Sequence, residues 1–331
     1  MRAAELEALA GRVVLAGFPG TSPPVELAEA LRGDALAGVV LFARNARTPA
    51  EARALVAGLQ AAPRGLIVAI DLVGGRGARR GPPMPTVPPA ATLGRGESAE
   101  TRRVAERQGK ALRAAGVSMN LAPVFDVHTN DANPVIGDRA FAATAEAVRR
   151  HAGAFASGLE AAGLDACAKH FPGHGDTALD SHVARPRVRH GRERLAAVAL
   201  EAFRGALALP AWMRAHVVSD ALAPEVPAPL SRAVLTELAR DTLGFGGAML
   251  SDDLEMAAVR DALGVTGAGV AALEAGCDLL LVCSEPDEAL ALRGALASRA
   301  GASAAFEARL REAERRVAAL RRTIPARVSA G

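Results

Sequence analysis

The sequence predicts an α/β protein whose eight parallel strands close into a single-domain (β/α)8 barrel of the TIM type. Eight short apolar runs are bounded by turn residues, and patterns typical of amphipathic helices lie between them. Strands that alternate with helices build a parallel sheet, and eight such units are the number that closes a barrel. A length of 331 residues would allow two average domains, but barrels also reach this size. Because the eight units run along the whole chain, we expect residues 1–331 to form one domain.

The predicted strands are the short apolar runs. Each is rich in residues that favour strands and lies between glycine, proline or charged residues. In chain order the runs cover residues 12–18, 38–44, 65–71, 117–124, 164–171, 212–218, 247–253 and 277–283.

The predicted helices have apolar residues at i, i+3 and i+4, and several end at a glycine that suits a C-cap. A Rossmann sheet is the competing architecture. It requires a G-x-G-x-x-G turn after the first strand, whereas this chain reads GFPGTSPP there, so the turn favours the barrel. The helical segments cover residues 49–60, 98–116, 144–163, 192–207 and 268–276.

Composition indicates an ordinary globular chain, with 50% hydrophobic residues, 23% charged residues and a net charge of +3. The arginines are dispersed and do not alternate with aromatic residues, which argues against a nucleic-acid surface. All three cysteines lie in apolar runs, as expected of buried thiols in a reducing compartment. Glu5 and Glu7 precede the first apolar run, and no apolar stretch reaches the roughly 20 residues that span a bilayer. We therefore expect a cytoplasmic protein without membrane or nucleic-acid partners.

Ionisable residues stand at the ends of several predicted strands, where barrel enzymes keep their catalytic groups. Burying such groups singly is costly, so one shared polar cavity explains them better than separate burials. These residues are Asp71, Asp126, Lys169, His170, His216, Asp252 and Asp253.

The segment KHFPGHGDTALDSH at residues 169–182 has six ionisable side chains in fourteen positions, and it allows three interpretations. It suits a surface loop, because its proline and glycines favour turns. It also suits a zinc site, because His and Asp bind zinc, although Lys169 beside them is unfavourable. In the third interpretation Asp180 orients His182 and raises its pKa, so that the imidazole can donate a proton and later accept one.

Asp252 directly follows a buried strand in GAMLSDDLEM. With Glu255 three residues later, it resembles a capping box that starts the next helix. At the end of a barrel strand that faces other polar groups, a carboxylate nucleophile is at least as well supported. Both interpretations stay open at this point.

Two further segments contain candidates for sugar binding. IVAIDLVGGRGARR provides Asp71 and Arg79, and NPVIGDRAF provides Arg139. An aspartate can accept hydrogen bonds from sugar hydroxyls, and an arginine can donate to a sugar oxygen.

Together these segments resemble the bacterial β-N-acetylglucosaminidases of glycoside hydrolase family 3. That family carries KHFPGHG followed by a D-S-H triplet, a loop reading IG-acidic-RAF or IG-acidic-RSF, and an S-D-D strand end; the resemblance spans roughly residues 12–290. It implies Asp252 as the nucleophile, His182 as the general acid/base and Asp180 as its orienting partner. The sugar-binding residues that it implies are Asp71, Arg79, Arg139, Lys169 and His170.

The resemblance also implies a reaction. The enzyme would be a retaining exo-β-N-acetylglucosaminidase that removes terminal N-acetylglucosamine from N-acetylglucosaminyl-anhydromuramyl peptides of recycled cell wall by double displacement. We expect a monomer that acts on a small carbohydrate and needs neither a cofactor nor a metal.

One residue departs from the family pattern. Where these enzymes usually read D-x-E-G-G, this chain has Val73 in place of the Glu. A catalytically impaired sugar-binding homologue is therefore an alternative, as are a phosphorylase or β-glucosidase of the same family and a metal-dependent hydrolase.

Overall fold

A computed structural model describes residues 2–59, 65–75, 87–177, 186–188, 190–223 and 230–322, and the barrel lies within these residues. The strands are β1 (Val14–Ala16), β2 (Gly38–Leu41), β3 (Ile67–Ile70), β4 (Met119–Asn120), β5 (Asp165–Phe171), β6 (Arg187–Val188), β7 (Ala211–Arg214), β8 (Val218–Ser219), β9 (Ala248–Asp253) and β10 (Leu279–Val282). The α-helices are α1 (Arg2–Gly11), α2 (Val25–Arg32), α3 (Pro49–Leu59), α4 (Ala90–Leu93), α5 (Ser98–Ala114), α6 (Ala145–Ala161), α7 (Arg192–Leu195), α8 (Glu201–Phe203), α9 (Ala257–Ala275), α10 (Pro286–Ala302) and α11 (Ala304–Arg322).

The barrel closes in the order β1, β2, β3, β4, β5, β7, β9, β10, and β10 returns to β1. Every neighbouring pair is parallel, and the closing pair sets Val14 opposite Leu280 and Ala16 opposite Val282. The short strands β6 and β8 pair with each other outside the barrel. The predicted fold class and all eight predicted strands are confirmed, and the Rossmann alternative is wrong because the sheet has no open edge.

The barrel strands are buried on both faces because helices cover the outside and side chains fill the inside. Leu15, Val68 and Leu280 are each 0% exposed. Trp212 of β7 stacks on Phe245 with ring centroids 4.0 Å apart, and it is also fully buried. The apolar runs of the sequence are therefore core, and the polar residues at their ends are the exceptions that need explanation.

Three predicted helices match α3, α5 and α6 to within about two residues, which is the usual uncertainty of helix ends. The predicted helix at 192–207 is a series of short α, π and 3-10 turns. The predicted helix at 268–276 begins much earlier, at Ala257, and is kinked at Gly264 where φ is 65°. The kink divides α9 into two halves whose apolar residues do not follow one continuous helical pattern. The i, i+3, i+4 spacing therefore predicted only the second half.

The terminal helices α1 and α11 meet beside the barrel. Leu6 and Leu310 are buried there, and Arg311 donates to the carboxylate of Glu5 at 2.8 Å. The cysteines Cys167, Cys277 and Cys283 are all buried. Within the described ranges, no helix combines the length and apolar character that crossing a membrane requires.

Candidate active site

A cavity of about 310 Å³ opens at the carboxyl ends of the barrel strands. A larger groove of about 670 Å³ lies between α2 and α3, but none of the predicted site residues lines it. The chemistry therefore points to the smaller cavity. Its ionisable lining residues are Arg44, Asp71, Arg139, Lys169, His170, His174, Asp252, Asp253 and Cys283.

The structure brings five of the eight predicted site residues together around this cavity: Asp71, Arg139, Lys169, His170 and Asp252. The other three, Arg79, Asp180 and His182, lie outside the described residues. Carboxyl ends of parallel barrel strands meet at one face, and this topology gathers residues that are up to 181 positions apart in sequence.

Lys169 forms an ion pair with Asp71 across the cavity. Its ammonium Nζ lies 2.6 Å from Asp71 Oδ1, and only 1% of the lysine side chain is exposed. Burial raises the pKa of Asp71, but the charges of Lys169 and Arg139 outweigh burial and the pKa lies below its usual value. Asp71 is therefore a permanent acceptor. Within the described part of the chain, Arg139 Nε has no hydrogen-bond partner, so a donor remains for a ligand.

His170 contacts the buried carboxylate of Asp126. The distance from His170 Nδ1 to Asp126 Oδ2 is 2.7 Å. Burial, with the neighbouring charges of Lys169 and Arg139, lowers the pKa of His170 well below its usual value. The imidazole is therefore neutral at physiological pH, and it offers one N–H donor and one nitrogen acceptor.

The glycine-rich end of the KHFPGHG segment packs against the loop that follows β4. His174 Nδ1 lies 2.6 Å from Thr177 Oγ1, and Asn133 Nδ2 donates to the His174 carbonyl at 2.8 Å. A Cβ at Gly175 would lie only 1.9 Å from the carbonyl oxygen of Val127, so only glycine allows this approach. The segment is thus fixed as far as Thr177.

Asp252 is the second-last residue of β9, and it lines the cavity. Its Oδ1 accepts a hydrogen bond from the backbone N–H of Asp253 at 2.9 Å. Burial raises the pKa of Asp252, but His216, His170, the Asp253 N–H and Lys169 outweigh burial and the pKa lies below its usual value. The side chain is therefore ionised at neutral pH, as a carboxylate nucleophile must be.

The capping-box interpretation of Asp252 and Glu255 is wrong. Helix α9 begins at Ala257 and has Met256 at its N-cap, so Asp252 lies too far upstream to cap it. The Glu255 carboxylate instead accepts the backbone N–H of Ser284 at 2.6 Å, just before α10. The Asp-x-x-Glu spacing is that of a capping box, but Asp252 still belongs to strand β9, which continues to Asp253.

Known proteins with similar sequences show the family of this chain. The family model described as glycosyl hydrolase family 3 N terminal domain matches residues 4–320. A protein named Beta-hexosaminidase from Xylella fastidiosa (strain M23) is 39% identical over 281 residues, which cover 82% of this chain and 83% of that protein. A Beta-hexosaminidase from Thiobacillus denitrificans is 42% identical over 77% of this chain and 74% of that protein.

Solved structures agree as well. A glycoside hydrolase family 3 beta-N-acetylglucosaminidase from Paenibacillus sp. str. FPU-7 matches with a TM-score of 0.91 and 37% identity, over 98% of this chain and 65% of that one. Beta-N-acetylhexosaminidase from Beutenbergia cavernae DSM 12333 matches with a TM-score of 0.88 and 30% identity, over 96% and 98%.

The chain belongs to glycoside hydrolase family 3. The family and the enzyme class predicted from the sequence are confirmed. The matched residues extend the predicted resemblance at both ends, because they include most of α1 and α11.

Asp253 and His216 lie beside Asp252 in this family 3 barrel. His216 Nε2 lies 2.8 Å from the Asp253 carbonyl oxygen, where it donates. Burial, with the nearby Glu255 charge, raises the pKa of Asp253 to about 7. Adjacent aspartates therefore have opposite shifts: Asp252 stays charged, whereas Asp253 takes up a proton near neutrality.

Arg44 is a cavity residue of this family 3 barrel that sequence reasoning missed. It was assigned to the strand run at 38–44, but it lies in a 3-10 turn after β2. Its Nε donates to the Phe18 carbonyl at 2.9 Å, its other end donates to the Cys283 carbonyl, and its guanidinium lies 4.6 Å from the Phe42 ring centroid. A polar residue that ends an apolar run was the available signal.

The zinc interpretation of the KHFPGHGDTALDSH segment receives no support from the described residues. Among them, no three His, Cys, Asp or Glu side chains are arranged to hold a metal ion. His170 Nδ1 and His174 Nδ1 are instead engaged by Asp126 and Thr177.

Proposed function

We propose that this protein is a retaining exo-β-N-acetylglucosaminidase that acts by double displacement. One observation carries the proposal: an ionised carboxylate, Asp252, opens into a cavity whose other walls carry Asp71, Arg139, Lys169 and His170. The names of the relatives and neighbours supply the sugar, because hexosaminidase and N-acetylglucosaminidase recur among them.

In the first step, Asp252 attacks the anomeric carbon of the terminal sugar. A bond forms between a carboxylate oxygen and that carbon, while the bond to the leaving oxygen breaks and His182 gives its proton to that oxygen. In the second step, water loses a proton to His182 and attacks the same carbon, which releases Asp252 and the sugar with retained configuration. The roles of His182 and its partner Asp180 rest on the sequence motif alone.

The walls of the cavity suit a single terminal sugar. At about 310 Å³ the cavity is at the small end of ligand pockets. Ionised Asp71 accepts from hydroxyls, whereas Lys169 and Nε of Arg139 donate. The sugar-binding residues in this proposal are Asp71, Arg79, Arg139, Lys169 and His170.

The natural substrate that we propose is the N-acetylglucosaminyl-anhydromuramyl peptide of recycled cell wall, cleaved at its β-1,4 linkage by a cytoplasmic monomer without a cofactor. The support is the motif resemblance of the sequence to the bacterial enzymes that act on this material.

An assay with two aryl glycosides tests the activity. We expect release of p-nitrophenol from the β-N-acetylglucosaminide and almost none from the β-glucoside, with β-N-acetylglucosamine as the first product by proton NMR. Preference for the glucoside would overturn the substrate. Sugar 1-phosphate formed in phosphate buffer would identify a phosphorylase, and sugar binding without hydrolysis would support the impaired homologue that Val73 suggests.

A fluoro-sugar trap tests the nucleophile. A 5-fluoro N-acetylglucosaminyl donor should label the wild type covalently, and Asp252→Asn should abolish labelling. Asp253→Asn is the matched control on the adjacent carboxylate and should still be labelled. Labelling of Asp252→Asn would remove Asp252 from this role.

A His182→Ala variant tests the acid/base. It should lose activity on substrates with poor leaving groups and recover it in part with azide, which needs no proton removed. Full activity without azide would contradict the role of His182.

A further inference from the structure

Asp126 is a buried carboxylate to which the proposed reaction gives no role, and it does not line the cavity. The backbone brings it there: the Phe125 N–H donates to the Lys169 carbonyl at 2.6 Å, and Val124 forms a bridge with Lys169. The chain after β4 therefore runs along the end of β5. This arrangement sets Asp126 beside His170, with 0% of its side chain exposed.

Both carboxylate oxygens of Asp126 are engaged by the KHFPGH turn. Oδ1 accepts the backbone N–H of His174 at 2.6 Å. Oδ2 accepts the backbone N–H of His170 at 3.3 Å and lies 2.7 Å from the Nδ1 of the same residue. One side chain thus fixes both the backbone and the ring of His170.

The contacts of Asp126 indicate which ring nitrogen of His170 carries the proton. Two of the three contacts come from backbone N–H groups, which only donate, so Asp126 acts there as an acceptor. Burial raises the pKa of Asp126, whereas its two backbone N–H donors favour the ionised form. An ionised carboxylate can only accept, and the third contact then requires a proton on Nδ1 of His170. In a neutral imidazole that leaves Nε2 with a lone pair.

We propose that Asp126 is a positioning residue that holds His170 as the Nδ1–H tautomer, so that Nε2 accepts a hydrogen bond from a sugar hydroxyl. The identity of the sugar rests on the proposed function, whereas the tautomer does not. Lys169, the preceding residue, has donors but no acceptor. Lys169 therefore offers the sugar a donor, and His170 offers it an acceptor. A hydroxyl can bind to both, whereas a group that only accepts can bind to Lys169 alone.

Nuclear magnetic resonance of the wild type is the first test, and it needs no turnover. In protein labelled with ¹⁵N at histidine, the His170 signals are those lost in His170→Gln. We expect the chemical shift of a protonated Nδ1 and an unprotonated Nε2. A protonated Nε2 would overturn the proposal, whatever the activity of the enzyme.

Asp126→Asn is the second test, with Asp131→Asn as its control. Asp131 lies on the same loop after β4, but its side chain is fully exposed. The new amide can donate to Nδ1, so we expect His170 to change to the Nε2–H tautomer and kcat/KM for the aryl N-acetylglucosaminide to fall about 10- to 100-fold. The control should match the wild type in both measurements.

Fluoro-sugars separate positioning from a general loss of structure. Three analogues of the aryl N-acetylglucosaminide each have fluorine in place of one free hydroxyl of the sugar. The fluorine cannot donate a hydrogen bond. The wild type should discriminate strongly against one of them, and Asp126→Asn should lose most of that discrimination. An equal loss on all substrates with the wild-type tautomer kept would overturn the proposal. If Asp126→Asn does not fold, the wild-type spectrum still decides. An Nδ1–H tautomer in a protein that cleaves no glycoside would support the positioning of His170 and contradict the proposed function.

Discussion

An aspartate lies at each end of the barrel, and the two are held differently. At the amino end Asp278 is 0% exposed and accepts hydrogen bonds at both oxygens. At the carboxyl end Asp252 has one hydrogen-bond donor among the described residues, the backbone N–H of Asp253. The donors to Asp278 are Arg240 at 2.6 Å, the Met249 N–H at 2.9 Å, Arg309 at 2.6 Å and Arg316 at 3.3 Å.

The difference separates stability from chemistry. The oxygens of Asp278 accept hydrogen bonds from three arginines, two of them from α11. This carboxylate therefore holds α11 against the amino end of the barrel. The carboxylate of Asp252 is kept charged by neighbours that leave it room for a substrate atom. In barrels the carboxyl face carries activity and the amino face carries stability, and under the proposed function these two aspartates follow that division.

The largest effect that this comparison predicts is on activity. Asp252→Asn should lower kcat/KM for the aryl N-acetylglucosaminide by about 10³- to 10⁵-fold, because an amide cannot form the glycosyl ester. Its free energy of unfolding in urea should change by less than about 1 kcal/mol, because Asn still accepts the Asp253 N–H. Asp261→Asn, on the exposed side of α9, should change neither quantity. A loss below tenfold would break the comparison.

The next effect is on stability at the other end. Asp278→Asn should lower the free energy of unfolding by roughly 3 kcal/mol, because three arginines lose their buried counter-charge. The activity of each folded molecule, counted with the fluoro-sugar trap, should stay unchanged because the cavity lies at the opposite end. The control is Asp241→Asn, an exposed aspartate beside Arg240. If activity fell as steeply as stability, the two ends would be coupled.

Asp253 gives a smaller, pH-dependent effect. Burial raises its pKa to about 7, so the folded protein binds a proton that the unfolded chain releases near pH 4. This contribution to stability is present at low pH and is lost as the pH rises from about 4 to 7. Between those pH values the free energy of unfolding of the wild type should therefore fall by on the order of 2 kcal/mol relative to that of Asp253→Asn. This figure allows for the partial exposure of the side chain. Urea unfolding at several pH values measures it, and parallel curves would contradict the shifted pKa.

The smallest effect is expected at an ion pair on the surface. Glu274 and Arg299 lie 2.7 Å apart, with 44% and 46% of their side chains exposed. Glu274→Gln should change the free energy of unfolding by less than about 0.5 kcal/mol, and salt should remove the difference. If Glu274→Gln lowered the free energy of unfolding as much as Asp278→Asn, burial would not explain the difference between the surface ion pair and the buried ion pairs.

Much of the cavity could be predicted from the sequence because the signals are local. A polar residue directly after an apolar run must lie at a strand end, and barrel topology then brings those ends together. Asp71, Lys169, His170 and Asp252 were found in this way. Arg44 ends an apolar run in the same way, but the prediction counts it as part of the strand run at 38–44 rather than as a residue of the cavity. Asn133 was missed because nothing in its neighbourhood indicates that it would bind the His174 carbonyl.

By itself, the sequence determined the number of barrel strands, their order and the face that carries the ionisable residues, since apolar runs and turn residues are read within a few positions of the chain. Only the tertiary structure decided which carboxylates are occupied and which are open. Asp278 is saturated by residues 29 to 38 positions away, and Asp126 finds its partners 44 and 48 positions away. Such pairings depend on how helices and loops pack around the closed barrel, and no local pattern in the chain encodes them.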